Sequence, residues 1–117
     1  MASRQRTVKE RELRTFAQQL FVAAGVPEEH AVLIANVLVW SNLRGVDSHG
    51  VLRIPGYLAR LESGLTNATP KIRVTSDLPA AAVLHTDAAF GQVALARASE
   101  IAIQKADAAG IGLCLVR

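Results

Sequence analysis

Residues 27–44 constrain the fold of this 117-residue chain more than any other stretch. Ala31, Ile34, Ala35, Leu38 and Val39 recur at the three- and four-residue spacing that stacks side chains along one face of a helix. Val32, Leu33, Val37 and Trp40 fill much of the remaining circumference. A helix that is apolar nearly all round cannot stand at the rim of a fold, because water would meet hydrocarbon on one of its sides. It has to be central, with other elements wrapped around it. Pro27 suits its first turn, Glu28 and Glu29 sit near the positive end of its dipole, and Gly45 ends it.

Two further helices are predicted around this one. Leu13, Phe16, Ala17, Leu20, Phe21 and Ala24 define an amphipathic helix over about residues 8–24, stopped by Gly25. On the other side, Asp47 or Ser48 is a candidate N-cap for a helix running to about Ser63 and closed by Gly64. Pro55 disturbs that segment, since an interior proline removes a hydrogen bond and costs ~3 kcal/mol. Either the helix kinks there, or a short turn carrying His49 precedes a helix that starts near Ile54.

Beyond Gly64 the period changes. Thr66 to Pro70 reads as a loop, and Lys71 to Thr75 alternates like an exposed strand. Ala80 to His85 reads as a short apolar strand, Gly91 to Ala109 as a helix stopped by Gly110, and Ile111 to Val116 as a buried apolar strand. Thr86 and Asp87 are expected to cap the helix. Strand, helix and strand make a βαβ-like unit, which calls for a larger sheet. A buried-type strand that finishes at Arg117 would leave an unpaired ladder, so the chain reads as an N-terminal fragment. The expected organisation is a basic leader (1–7), a helical subdomain (8–64) and the incomplete start of an α/β sheet domain (65–117).

Charge narrows the function classes. The net charge of +3 is confined to residues 1–15, where Arg4, Arg6, Lys9, Arg11 and Arg14 outweigh Glu10 and Glu12. The remainder is balanced, and aromatics are scarce, so a nucleic-acid surface is not indicated and the basic start reads as solvated. The lone Cys114 cannot form an internal disulfide and is expected to be a reduced, buried thiol in a cytoplasmic protein. No apolar run is long enough to span a bilayer, and no pair of histidines or cysteines has metal-ligand spacing. His30 and His85 are expected to be an exposed side chain and a satisfied strand-end side chain, respectively.

The chemistry concentrates in Asp47-Ser48-His49-Gly50-Val51-Leu52-Arg53-Ile54-Pro55-Gly56-Tyr57. An imidazole, a guanidinium and a phenol recur at four-residue intervals, about one helical turn, so on a helix they would share a face. Such a row can bind a small carboxylate and exchange a proton with its neighbour. The bland alternative is a helix start with a capping Ser48 and a surface arginine. A rival from another class is a helix-turn-helix-like binding module built from residues 8–44. The mostly apolar second helix, acidic at its start, argues against that rival.

The run Asn36-Val37-Leu38-Val39, Leu43-Arg44-Gly45-Val46-Asp47-Ser48-His49-Gly50, Arg53, Tyr57 and Gly64 resembles the malate/L-lactate dehydrogenase family of NAD(P)-dependent oxidoreductases. Leu84-His85-Thr86-Asp87 leading into Gly91-Gln92-Val93-Ala94, then Gly110-Ile111, extends the resemblance over nearly all of the chain from residue 8. The resemblance implies an α/β fold in which a helical subdomain is followed by the first strands and helix of a non-Rossmann sheet domain, truncated here. No G-x-G-x-x-G occurs after the second strand. The resemblance implies hydride transfer between NAD or NADP and the C2 carbon of a small 2-oxo or 2-hydroxy acid. It makes His49 the proton-exchanging catalytic residue and places Ser48, Arg53 and Tyr57 in the substrate pocket. It puts a second histidine and the cofactor-binding loops beyond Arg117, implies a homodimer for the full-length protein, and leaves this segment inactive by itself.

Overall fold

A computed structural model of the chain describes residues 6–117. Helices α1 (Glu10–Ala23) and α2 (Glu28–Leu43) form a hairpin. Two short 3₁₀ turns follow, Asp47–His49 and Val51–Arg53, and lead into α3 (Ile54–Glu62). Strands β1 (Arg73–Asp77) and β2 (Ala81–His85), helix α4 (Gly91–Ala109) and strand β3 (Leu113–Val116) complete the order. The architecture is α/β, helices first and a three-stranded sheet after them.

Helix α2 is central, as its composition requires. It packs against α1, α4 and both 3₁₀ turns. Ala31, Ile34 and Leu38 are buried, and with Phe21 of α1, Ile54 of α3, and Phe90 and Val93 at the start of α4 they form the larger core cluster. Burying a side chain such as Ile34 or Leu38 contributes ~1.5–3 kcal/mol. The apolar circumference is not wholly covered, however: Trp40 and Leu43 remain 54% and 58% exposed. The α1–α2 hairpin is also pinned by Arg14, whose Nη1 donates to Asn36 Oδ1 at 2.9 Å while Nη2 pairs with Glu10 at 2.8 Å. Arg14 therefore belongs to the helix pair and not to a solvated basic start. Of the leader (1–7), residues 1–5 lie outside the described residues, and Arg6 and Thr7 are exposed.

In the sheet, β2 is the middle strand. It runs antiparallel to β1, from Arg73↔His85 to Asp77↔Ala82, with a bulge between Val74 and Ser76. It runs parallel to β3, from Ala81↔Leu113 to Leu84↔Val116. Parallel neighbours need a crossover, and α4 supplies it. Ala82 and Leu84 of β2 pack on Ala98 and Ile101 of α4 to make a second, smaller core cluster. Lys105 anchors the far end of α4 by donating to Asp77 Oδ1 at 2.5 Å and to the Leu78 carbonyl at 2.6 Å.

Several local expectations need correction. β1 begins two residues later than its alternation suggests, because the Lys71 N–H is bonded to Asp87 Oδ2 at 2.9 Å and does not join the ladder. The last strand is not buried: Leu113 and Leu115 are exposed, and Cys114 is half-buried against the smaller cluster. With α4 covering one face of the sheet, alternate residues of β3 meet its bare side. Thr86 and Asp87 do not cap α4, which has no side-chain cap. Asp87 also accepts from Asn67 Nδ2 at 3.0 Å, and Thr86 Oγ1 donates to the Arg117 carbonyl at 3.1 Å. His85 is not satisfied, since its buried Nδ1 has no hydrogen-bond partner among the described residues.

Candidate active site

The candidate site begins where α2 stops. Gly45 takes the left-handed conformation (φ 75°) that a side chain would strain, and turns the chain back so that the Val46 N–H reaches the Ser41 carbonyl at 2.9 Å. The Asp47–His49 turn follows, then Gly50 in extended backbone (φ −91°, ψ −154°), then the Val51–Arg53 turn. Pro55 falls in the first turn of α3, where its missing N–H is no loss. Of the two arrangements open to this segment, the structure adopts the turn that precedes a helix starting at Ile54. His49, Arg53 and Tyr57 consequently do not share one helix. Gly50 interrupts the row, and only Arg53 and Tyr57 keep a helical turn between them.

Neither Asp47 nor Ser48 acts as a helix cap. The Asp47 carboxylate accepts from Asn42 Nδ2 at 2.7 Å, and the same amide's Oδ1 accepts the Val51 N–H at 2.9 Å. Ser48 Oγ lies 3.0 Å from His49 Nδ1. In the tautomer in which Nδ1–H donates to the hydroxyl oxygen, Nε2 keeps its lone pair and is the nitrogen free to take up and return a proton. Arg53 Nε donates to the Ser48 carbonyl at 2.7 Å, and its terminal nitrogens have no partner among the described residues. Ser48, His49 and Arg53 are thus brought together, all of them exposed, with Arg53 in no ion pair among the described residues. A fork of free N–H groups beside an imidazole suits a small carboxylate that also carries a proton-accepting oxygen.

Tyr57 is placed differently. Its ring packs between Phe21 and Phe90, with centroids 6.4 and 5.5 Å away, and its hydroxyl accepts from Gln92 Nε2 at 3.0 Å. It lines a cleft of about 580 Å³ with Arg60, Thr66, Phe90 and Gln92, over an apolar floor that includes Leu33 and Val37. Ser48, His49 and Arg53 do not line this cleft. On its rim, Arg60 Nε donates to Thr66 Oγ1 at 3.3 Å. The turn into α4 beside it holds Asp87 and Ala88 at φ 53° and 57°, a conformation costing ~1–2 kcal/mol per side-chain-bearing residue. Reading the sequence singled out Tyr57 but missed Asn42, Arg60, Thr66 and Gln92 as neighbours of the site. Gln92 was visible only as part of the Gly91-Gln92-Val93-Ala94 run, and no local pattern announces that it meets Tyr57.

The turn from β2 into α4 does not fit the pyrophosphate of a dinucleotide. The turn from β2 into α4, where a pyrophosphate would sit in a strand-to-helix cradle, places its own carboxylate, Asp87, against Asn67 and Lys71 and buries Phe90. No cluster of three metal-ligating side chains occurs among the described residues. Nor is any helix there long and apolar enough to cross a membrane.

The architecture recurs in dehydrogenases and reductases. The malate dehydrogenase of Pyrococcus horikoshii superposes with a TM-score of 0.91 at 40% identity, covering 93% of this chain and 31% of that one. The Δ1-piperideine-2-carboxylate reductase of Pseudomonas syringae superposes at 0.87 with 32% identity, covering 97% and 34%. By sequence, the malate dehydrogenase of Pyrococcus abyssi is 40% identical over 106 residues, 91% of this chain and 29% of that protein. The NAD(+)-dependent ureidoglycolate dehydrogenase of Escherichia coli K12 is 41% identical over 90 residues, 77% and 26%. Residues 8–117 match the malate/L-lactate dehydrogenase family, and the chain belongs to it. It spans about three-tenths of the length of the curated relatives it matches.

Proposed function

We propose that the protein carrying this chain is a nicotinamide-dependent oxidoreductase acting on a small 2-oxo or 2-hydroxy acid. The observation that carries the reading is the Ser48–His49–Arg53 group: an imidazole beside a guanidinium whose terminal nitrogens are unpaired among the described residues. The family membership supports the reaction class. NAD or NADP supplies or accepts the hydride at C2, and segments other than those described hold it.

This chain's own part is the proton and the carboxylate. In the reducing direction C2 gains the hydride, and the carbonyl oxygen takes the Nε2 proton of the His49 imidazolium, which is left neutral with Nδ1–H on Ser48 Oγ. Oxidation returns that proton to His49. Arg53 pairs with the carboxylate through its terminal nitrogens and Ser48 fixes the imidazole, while Tyr57 stands apart from them in the cleft it lines with Gln92. The apolar flank of α2 at Trp40 and Leu43 suits a homodimer interface. The single, unpaired cysteine suits a cytoplasmic protein. The 117-residue segment alone is expected to show no turnover.

The test is His49→Gln in the protein expressed from its complete reading frame, assayed on a panel of 2-oxo acids with NADH and NADPH. Turnover should fall about 10²- to 10⁴-fold, the range for a lost general acid–base. The urea midpoint should barely move, because His49 is exposed. Unchanged turnover would remove His49 from the chemistry, and a parent protein that turns over no acid of the panel with either cofactor would overturn the reading.

A further inference from the structure

Asn42 lies in the last turn of α2, and both ends of its carboxamide are engaged. Nδ2 donates to Asp47 Oδ1 at 2.7 Å, and Oδ1 accepts the Val51 main-chain N–H at 2.9 Å. These two partners flank Ser48-His49-Gly50, so a single side chain holds both ends of the segment that carries the imidazole. Gly50 is buried directly against it, and a Cβ at that position would come within 2.5 Å of Asn42 Nδ2. The turns themselves supply little: the His49, Gly50 and Arg53 N–H groups each make one main-chain bond, to Val46, Asp47 and Gly50. Hydrogen bonds in 3₁₀ turns have poorer geometry than those of an α-helix, so the Asn42 bonds add to what the turns supply.

We infer that Asn42 is a positioning residue. It sets the His49 ring against Ser48 and, through the Ser48 carbonyl that Arg53 grips, sets the guanidinium as well. The inference rests on the functional reading above. It depends on the chemistry of an amide, which offers a donor on one side and an acceptor on the other. A leucine of similar size offers neither. An aspartate keeps the acceptor for Val51 but turns a second carboxylate toward Asp47. Pairing N42D with D47N restores both bonds, with the donor now on residue 47.

The experiment compares N42L, N42D and N42D/D47N in the protein expressed from its complete reading frame. It reads amide hydrogen exchange at Val51, kcat and KM on the best 2-oxo acid of the panel, and the urea midpoint. N42L should speed Val51 exchange about tenfold for the lost hydrogen bond. It should lower kcat about 10²-fold, the cost of a misplacement near 1 Å. N42D should fall between N42L and the parent, and N42D/D47N should return both readouts to near-parent values. A residue that served stability alone would shift the urea midpoint and leave kcat per folded molecule unchanged, which overturns the positioning role. Unaltered Val51 exchange in N42L overturns the clamp itself. If H49Q leaves turnover intact, His49 is outside the chemistry and Asn42 has no catalytic group to position. The exchange result separates that failure from a failure of the clamp.

Discussion

Gly112→Ala should be unusually costly for the addition of one methyl group. Gly112 precedes β3 and lies against the backbone of α4: a Cβ there would overlap the Ala102 carbonyl oxygen and sit 2.8 Å from both Ala102 C and Ala106 N. Every obstructing atom is main chain within a helix, so no rotamer change relieves the clash. Either the strand or the helix must move. Overpacking of this kind costs ~1–3 kcal/mol. The next residue starts the β2–β3 ladder, with the Leu113 N–H on the Ala80 carbonyl at 2.9 Å, so displacement also weakens that bond. Losing one such bond adds ~1 kcal/mol, for a total of about 2–4 kcal/mol. Gly56→Ala is the matched control: it lies within α3, nothing stands within 4 Å of its added Cβ, and it should gain ~0.5–1 kcal/mol from helix propensity. Urea unfolding of the two variants beside the parent, at unchanged m-values, measures both shifts. A Gly112→Ala midpoint equal to the parent's, or a Gly56→Ala loss of similar size, would refute the close-approach argument.

Two other substitutions probe the site directly. Tyr57→Phe keeps the packing on Phe21 and Phe90 but strips Gln92 of its acceptor, so urea unfolding should register a loss of ~1 kcal/mol. No loss would mean that water or another group satisfies Gln92 equally well. Arg53→Lys cannot donate one N–H to the Ser48 carbonyl while turning two terminal nitrogens toward a carboxylate, so steady-state kinetics should show KM for the acid raised ~10- to 100-fold with a smaller change in kcat. An unchanged KM would show that the carboxylate is held elsewhere.

Much of the scaffold could be read from period and punctuation. Helix α4 occupies the predicted residues, and α1 and α2 start within two residues of prediction, because long amphipathic or apolar runs ended by glycine leave few alternatives. The site was half legible. Its residue types and spacing drew the eye to residues 47–57, but spacing alone suggested one continuous helix. What divides that segment is the burial of Gly50 under Asn42, a contact between positions whose separation has no periodic signature. Pro55 hinted at the division without fixing it. The tie between Tyr57 and Gln92 spans 35 residues and follows only from how α3 and α4 pack. The exposure of β3 has no sequence signal for a related reason: apolar composition reports what a strand would gain from cover, not which of its faces receives it.

Helix α4 joins these parts as a strut. Its 19 residues make a rod ~28 Å long at the usual rise per residue. Val93, near one end, belongs to the core beneath Tyr57, while Ala98 and Ile101 belong to the core beneath the sheet and Lys105 is moored to the tip of β1. A rod moored at both ends transmits displacement without absorbing it. The phenol of Tyr57 is therefore mechanically in register with strands that never touch it. A shift of the sheet against the helices, whether from a substitution such as Gly112→Ala or from a neighbouring chain pressed on its bare face, should be felt as a change in the Tyr57–Gln92 contact. The shape of the cleft beside Tyr57 can then drift through changes made far from it.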